Sequence, residues 1–162
     1  MTKIRVLSAD EWQDARAVRL RSLTEAPSAF TSNLAREEAY DEATWRDRVA
    51  TRQWFVAVDG GLVGVAIGVE GWFGDPSVRE LVGMWVAPSH RRSGVATQLL
   101  EEVRGWAASD GAATLRLGVR EGNEGALAAY LSMGLRVSGE RMREVDHPTS
   151  LILVMECDVG LE

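Results

Sequence analysis

Two arginines, a serine and a glycine occupy residues 91–94, where an apolar run that ends at Pro88 meets a helical pattern. The first turn of a helix carries backbone N–H groups without partners and a partial positive charge, which together bind phosphate. Gly94 would let an anion approach the backbone closely. Arg91 and Arg92 add positive charge, and Ser93 offers a hydroxyl donor. The residues alone therefore allow two interpretations, a phosphate-binding turn or a solvated turn with two surface arginines.

The common glycine-rich phosphate motifs do not occur in this chain. There is no G-x-x-x-x-G-K-[ST] sequence, and no G-x-G-x-x-G sequence follows a predicted strand. This absence disfavours an NTPase and an NAD-dependent enzyme. If the turn binds a phosphate compound, the ligand belongs to another class.

The strand before this turn is predicted at residues 79–88, and the alternation of a strand assigns its side chains to two faces. One face carries Leu81, Gly83 and Trp85, and the other carries Glu80, Val82, Met84 and Val86. A helix is predicted after the turn, because apolar residues recur at helical spacing from Val95 to Trp106. Gly111 is the expected end of this helix.

The first half of the chain is predicted to contain a strand, two helical regions and a hairpin. The strand covers residues 3–8, and Ser8 with Glu11 forms a capping-box spacing that opens a helix continuing to Pro27. A second helical region runs from about residue 34 to residue 51 and is broken near Asp41. Two β-rich runs within residues 53–70 flank a D-G-G turn signal at residues 59–61, which predicts a hairpin.

The second half of the chain alternates strands with helices before a closing pair of strands. A strand at residues 113–119 precedes a short helix, with Asn123 as its N-cap and Gly134 as its stop. The complete element order is β-α-α-β-β-β-α-β-α-β-β. It predicts an α/β fold with a mixed, mostly antiparallel sheet of six to seven strands and about four helices, in one domain over residues 1–162.

Composition sets limits on partners and location. The 162-residue chain carries a formal net charge of -6, which disfavours binding to nucleic acid or to an anionic membrane. No apolar run reaches the roughly 18 residues that span a bilayer, and the N-terminus lacks the apolar segment of a signal peptide. We therefore expect a cytoplasmic protein. One cysteine, Cys157, and two histidines argue against a metal site.

Three blocks of sequence, in the right order, resemble the GNAT acyltransferases. Their acetyl-CoA signature is [RQ]-x-x-G-x-[GA], placed after a strand that ends in proline and before a long helix. This chain has R-R-S-G-V-A at residues 91–96, after the sequence GMWVAP. Residues 115–135 resemble the second block, a strand, an asparagine and a tyrosine-bearing helix, with Leu135 where phenylalanine is usual. The resemblance implies that two central strands splay apart and that CoA fills the gap.

The resemblance also implies which residues hold acetyl-CoA, the expected acyl donor. The pyrophosphate would be bound by the backbone amides around Arg91, Arg92, Ser93, Gly94, Val95, Ala96 and Thr97. The strand residues Met84, Trp85 and Val86 would pair their backbone with the pantetheine arm. One amide of this strand would polarise the thioester carbonyl. Asn123 would contact the cofactor from the next helix, and no metal is expected.

The implied reaction is direct transfer of an acetyl group from acetyl-CoA to a primary amine of a small molecule or peptide. The amine must lose a proton, and the departing thiolate must gain one. Tyr130 matches the family's acid position. From the residues alone, however, Tyr130 shares a helical face with Leu127 and Leu131, which is typical of a core tyrosine.

The base is a separate question. Some relatives carry a glutamate on the strand before the asparagine helix, but this chain has Gly118 at that position. Glu80 is the preferred substitute, although its position also fits a solvated charge at a strand end. Glu70, Asp75 and a water chain to a remote carboxylate are the alternatives.

The acceptor site of such proteins is built from the first two helices and the loop after the hairpin. The aromatic residues there are Phe30, Tyr40, Trp45, Trp72 and Phe73, of which Trp72 and Phe73 are the best candidates for a pocket wall. The acidic residues Glu37, Glu38, Asp41, Glu42 and Asp75 would favour a cationic acceptor, although a charged helix face is usually just a solvated surface. The resemblance also favours a homodimer. A non-catalytic acetyl-CoA-binding sensor or partner-docking module is the alternative function.

Overall fold

A computed structural model describes residues 1–71, 74–144 and 147–160, and within these residues seven strands form one sheet. The strands are β1 (Lys3–Val6), β2 (Gln53–Val58), β3 (Leu62–Glu70), β4 (Val78–Val86), β5 (Thr114–Arg120), β6 (Arg136–Glu144) and β7 (His147–Asp158). The α-helices are α1 (Trp12–Glu25), α2 (Leu34–Glu38), α3 (Glu42–Thr51), α4 (Val95–Ser109) and α5 (Glu124–Ser132). The strand order across the sheet is β1-β2-β3-β4-β5-β7-β6.

The predicted element order and the mixed α/β sheet are confirmed. The second helical region divides into α2 and α3, because Asp41 begins a new helix by accepting a hydrogen bond from the Thr44 amide at 2.8 Å. The predicted capping box at Ser8 is wrong. Ser8 makes no side-chain cap, a short 3-10 turn precedes α1, and Glu11 instead pairs with Arg5 at 2.8 Å.

The centre of the sheet contains a strand pair that separates. Strands β4 and β5 are parallel and pair only at Val78 with Thr114, Arg79 with Leu115, and Glu80 with Arg116. Beyond Glu80 each strand continues without the other, whereas all other strand pairs are antiparallel. This geometry confirms the predicted splayed pair and opens a wedge between β4 and β5.

A bulge in β4 overturns the predicted assignment of its faces. Val82 lies opposite Ile67, but Trp85 lies opposite Val65, so β4 uses one residue more than β3 over this stretch. Gly83 sits in the bulge with φ 66, a left-handed conformation that favours glycine. The extra residue reverses the alternation, and Trp85 therefore shares a face with Val82 rather than with Leu81.

Helix α4 is held against one face of the sheet by very close packing. A Cβ added to Gly68 would lie 2.4 Å from the ring of Trp106, and one added to Gly64 would lie 3.2 Å from Leu99. The predicted apolar stripe of α4 is buried at Val95, Leu99, Leu100, Val103 and Ala107. This contact fixes the first turn of α4 beside the end of β4. Helix α1 approaches the other face, where Arg19 lies next to Gly83.

Candidate active site

A cavity of about 250 Å³ fills the wedge between β4 and β5. Of the residues proposed from sequence for catalysis or for acetyl-CoA binding, four line it, namely Glu80, Met84, Asn123 and Tyr130. Trp85, Val86 and residues 91–97 do not line it, since they lie at the end of β4 and at the start of α4. Strands β6 and β7 contribute to its far wall. The two residues proposed for proton transfer thus line the same cavity. The turn at residues 91–94 lies outside it, after the end of β4.

The amino end of α4 is open. Its N-cap is Gly94, which has φ 86 and no side chain to accept from the helix, and the Gln98 amide makes the first helical hydrogen bond, to Gly94. Within the described part of the chain, the amides of Val95, Ala96 and Thr97 have no hydrogen-bond acceptor. By contrast, α2, α3 and α5 are capped by their own asparagine or aspartate side chains. Three unpaired amides and the helix dipole at this end are the features that the predicted anion site requires.

The turn before α4 is tied to the end of α1 through Glu25. The Arg91 guanidinium donates from Nη2 to Glu25 at 2.6 Å and from Nε to the Val86 carbonyl at 2.9 Å, and the Trp85 indole donates to Glu25 at 2.8 Å. The hydrogen bonds from Trp85 and then Arg91 lower the pKa of the Glu25 carboxyl. Arg91 therefore fixes the shape of the anion site, and its side chain is already engaged within the protein.

The remaining polar residues of this turn are also arranged by internal contacts. The Ser93 hydroxyl donates to the His90 carbonyl, and the His90 ring contacts Asp59 of the β2–β3 turn at 2.8 Å. The His90 contact is the main cause that lowers the pKa of Asp59. Arg92 is exposed and takes φ 59. The Ser93 hydroxyl thus donates its hydrogen within the turn. Of the two arginines, Arg91 is bound inside the protein, and Arg92 is the one whose side chain extends from the turn.

Helix α5 places Asn123 and Tyr130 on the cavity wall. Asn123 caps the helix by accepting from the Ala126 amide at 3.2 Å, as predicted. Tyr130 retains partial exposure. Burial of its phenol raises the pKa of Tyr130, with no hydrogen bond or neighbouring charge contributing to the shift. The hydroxyl therefore stays protonated through the physiological range, and it can donate to an acceptor in the cavity.

The three candidate carboxylates occupy different places. Glu80 lines the cavity at the point where β4 leaves β5. Glu70 lies at the end of β3 and lines a second cavity on the side of α2. Asp75 accepts from the Ser77 hydroxyl at 2.7 Å and from its amide at 2.9 Å, which lowers the pKa of Asp75. Only Glu80 among these three faces the wedge.

Four of the five acidic residues that suggested a cationic acceptor have intramolecular roles. Glu37 is buried and receives two hydrogen bonds from Arg19, each at 2.9 Å. Asp41 caps α3, Glu42 pairs with Arg46 at 2.9 Å, and Asp75 closes a turn. Of the aromatic candidates, Trp72 and Phe73 lie outside the described residues, Trp45 is fully buried, Phe30 lines the wedge and Tyr40 lines the second cavity.

Sequence reasoning missed Arg120, which shapes the wedge from β5. Its guanidinium donates to the carbonyls of Ser28 and Phe30 at 2.8 and 2.9 Å and also pairs with Glu144. These bonds hold the segment between α1 and α2 against the cavity. The contacts join positions 24 to 92 residues apart, so no local pattern indicates them.

Cys157 is buried in β7 opposite Leu115, where it packs as a small apolar residue and burial raises the pKa of its thiol. No group of three or more histidine, cysteine, aspartate or glutamate side chains with metal-binding geometry occurs in the described residues. Their helices include none long and apolar enough to cross a bilayer.

The packing around Gly118 leaves no space for a side chain at this position. A Cβ added to Gly118 would lie 2.6 Å from Cγ2 of Ile152 on the neighbouring strand β7. Ile152 thus occupies the volume that any side chain at this position would need, and both residues line the wedge. The base position used by some relatives is therefore closed here by an isoleucine.

Replacing Gly118 by alanine should destabilise the protein by about 1–3 kcal/mol, because the added methyl group forces Ile152 or the strand to move. Chemical unfolding in urea would measure the change. Gly105→Ala is the matched control, since Gly105 lies within α4 with open space around it, and the same change there should stabilise by up to about 1 kcal/mol. Equal stability of Gly118→Ala and the parent would contradict the packing argument.

The family model described as "Acetyltransferase (GNAT) family" matches residues 19–135. A search of curated protein sequences finds no match. Among solved structures, the ribosomal-protein-S18-alanine N-acetyltransferase from Escherichia coli is 21% identical with a TM-score of 0.71, over 100% of this chain and 96% of that one.

Two further solved structures were obtained with ligands. The putative acetyltransferase yncA from Salmonella typhimurium, with its cofactor acetyl-CoA, is 16% identical with a TM-score of 0.75, over 100% of this chain and 96% of that one. An aminoglycoside 6'-N-acetyltransferase complexed with coenzyme A is 17% identical with a TM-score of 0.68, over 99% and 98% of the two chains. At these identities the structures establish a shared fold.

Proposed function

Because the chain belongs to the GNAT family of acetyltransferases, we propose that it transfers an acetyl group from acetyl-CoA directly to a primary amine of a small molecule or peptide. The observation that carries this proposal is the cavity between the splayed strands β4 and β5, with Tyr130 and Glu80 on its wall. The uncapped amino end of α4 follows β4 in the chain and supplies an anion site. A phosphate-bearing thioester requires both features, a binding site for its phosphates and a slot for its arm.

The residues present fit acetyl-CoA. The unpaired amides of Val95, Ala96 and Thr97 would hold the pyrophosphate, and the space around Gly94 is open to an anion. Beyond Glu80, β4 has no β5 partner, so its backbone can pair with an extended ligand as a further strand would. The Val86 carbonyl already accepts from Arg91, and Trp85 is paired with Val65 of β3, so this pairing would rely on the backbone of Met84 and on the Val86 amide. Asn123 would contact the arm from α5.

Acetyl-CoA supplies the acetyl group as a thioester, and the chain supplies proton handling and orientation. Glu80 would accept the proton that the acceptor amine loses as its nitrogen bonds to the carbonyl carbon. A backbone amide of β4 would donate to the carbonyl oxygen, where negative charge develops. Tyr130 would donate a hydrogen bond to the sulfur as the carbon–sulfur bond breaks. The products are an N-acetylated amine and CoA.

Thiol release from acetyl-CoA, measured against a panel of small amines and peptide amines, tests the proposal. In Glu80→Gln we expect kcat/KM at pH 7 to fall at least about tenfold, because the base is lost. The defect should shrink as pH approaches the acceptor's pKa of about 10, since the free amine then needs no base. Glu102→Gln, an exposed residue on α4, is the control and should retain parental activity.

Two results would contradict this assignment. A constant defect of Glu80→Gln at every pH would exclude Glu80 as the base. Tight binding of acetyl-CoA without thiol release on any amine would exclude catalysis and favour the acetyl-CoA sensor. The homodimer and the cytoplasmic location stay predictions, of which light scattering on the purified protein would test the first.

A further inference from the structure

A second cavity, of about 450 Å³, lies on the α1–α3 side of β4 and meets the wedge at the β4 bulge. The residues common to the two cavities are Arg19, Thr31, Val82 and Gly83. An acceptor in the second cavity would therefore face the reacting end of a donor held in the wedge. The charged residues of its lining are four arginines and two glutamates, namely Arg19, Arg36, Arg48, Arg52, Glu37 and Glu70.

Arg19 leaves one buried donor at the junction of the two cavities. The residue is only 7% exposed, and it binds Glu37 through Nε and Nη2, each at 2.9 Å. Its third nitrogen, Nη1, is buried and has no hydrogen-bond partner among the described residues. Nη1 lies 3.1 Å from the position that a Cβ at Gly83 would take. A buried guanidinium nitrogen without an acceptor is costly unless a ligand or water supplies one.

Arg48 contacts the same carboxylate, and Arg52 lies within electrostatic range of it. Arg48 reaches Glu37 at 3.3 Å from Nη2, whereas its Nε is buried without a partner in the described structure. Burial, followed by repulsion from Arg48 and Arg19, lowers the pKa of Arg52. Two guanidinium groups therefore share one buried carboxylate with a third nearby, and the four arginines and two glutamates of the lining leave an excess of positive charge in the cavity.

We propose that this cavity binds a carboxylate of the acceptor, so that the substrate is a small amino-acid-like molecule carrying both an amine and a carboxylate. This inference rests on the proposed acetyl transfer. Guanidinium groups bind carboxylates with geometric specificity through paired hydrogen bonds. With its carboxylate at Arg48 and Arg52, the acceptor would direct its amine towards Gly83 and the wedge. This acceptor carries a negative charge that the cationic acceptor suggested by the acidic residues of α2 and α3 would lack.

The decisive experiment compares L-amino acids with their carboxamides in the thiol-release assay. Amidation removes the negative charge and keeps the side chain, and it also makes the amine easier to deprotonate. A preference for the acid must therefore overcome this chemical advantage of the amide. We expect the best acceptor to have a kcat/KM at least about tenfold higher as the acid than as its amide.

Arg52→Gln tests the site itself. The side chain of Arg52 makes no ion pair with the described residues, so its loss should leave the fold intact, which a thermal melt would verify. We expect the KM for the acid to rise about tenfold and the values for the amide to change less than about twofold. The matched control is Arg46→Gln. Arg46 belongs to the same helical region, but it pairs with Glu42 outside the cavity. This variant should keep the preference for the acid.

Ligand-observed NMR of N-acetyl amino acids and their amides, with CoA present, reports on the same site without turnover. Selective binding of the acids by the parent and its loss in Arg52→Gln would support the inference. Equal binding of acids and amides, or no binding of the acids, would overturn it. If amides or simple amines are acetylated with the same kcat/KM as acids, the proposed acetyl transfer is supported and only the carboxylate site is contradicted. If acetyl-CoA itself does not bind, the proposed function fails.

Discussion

Replacing Tyr130 by phenylalanine is expected to lower kcat about 100-fold, the usual effect of removing one hydrogen bond to developing charge. The KM for acetyl-CoA should change less than about threefold, because the lost interaction forms mainly in the transition state. The phenylalanine ring preserves the packing of α5 against the cavity. The substitution therefore removes a donor and leaves the shape of the wedge.

The environment of Tyr130 indicates how its hydroxyl acts. Burial raises its pKa above the ordinary value of a phenol, whereas a simple thiol has a pKa of about 8.5. Complete proton transfer from this phenol to a thiolate would thus be uphill by more than about 2 kcal/mol, at about 1.4 kcal/mol for each pKa unit. We infer that Tyr130 stabilises the departing sulfur by a hydrogen bond and that the thiolate obtains its proton from solvent or from the proton that the amine released.

The pH profile distinguishes this role from that of a titrating acid. Because burial raises the pKa, Tyr130 remains protonated on the alkaline side, and its ionisation should cause no loss of activity below about pH 10. Tyr130→Phe should consequently lower kcat by the same factor at each pH between 6 and about 10. If kcat of the parent falls at high pH and this fall is absent in Tyr130→Phe, Tyr130 titrates during the reaction. A variant with full activity would remove it from the site.

Local patterns predicted the elements of the fold because each depends on neighbouring residues. The hairpin at residues 59–61, the helix break near Asp41, the cap at Asn123 and the apolar stripe of α4 are set within one or two turns of chain. The uncapped end of α4 could be predicted for the same reason, since it needs only a glycine before the first turn of a helix.

Features that depend on partners distant in sequence could not be predicted in this way. The bulge at Gly83 is defined by the register between β3 and β4, and it reversed the face assigned to Trp85. The pairing of Arg19 with Glu37 joins two helices and turns apparently acidic helices into the lining of a positively charged cavity. Such contacts set the charge of this cavity, and no local pattern in the sequence indicates them.

Replacing Gly94 by aspartate should raise the Kd for acetyl-CoA about 100-fold. The residue precedes the unpaired amides of α4, where the added carboxylate would face the phosphates of the ligand. Two like charges about 4 Å apart repel by about 4 kcal/mol at an effective dielectric constant of 20. Gly94 is exposed, so solvent screening lowers this repulsion, and the 100-fold change that we expect corresponds to about 2.8 kcal/mol. Titration calorimetry with acetyl-CoA and CoA measures the loss directly.

Gly94→Asn separates the charge from the shape of the new side chain. Asparagine matches aspartate in size, and both tolerate the left-handed conformation at φ 86 better than other residues do. The strain of the turn and the crowding of the ligand are thus common to both variants, and any difference in Kd between them measures phosphate repulsion. That difference should also shrink as salt is added, because screening acts on exposed charges. Equal affinities for the two variants at low salt would mean that the phosphates lie elsewhere, and the open end of α4 would then have no part in binding the donor.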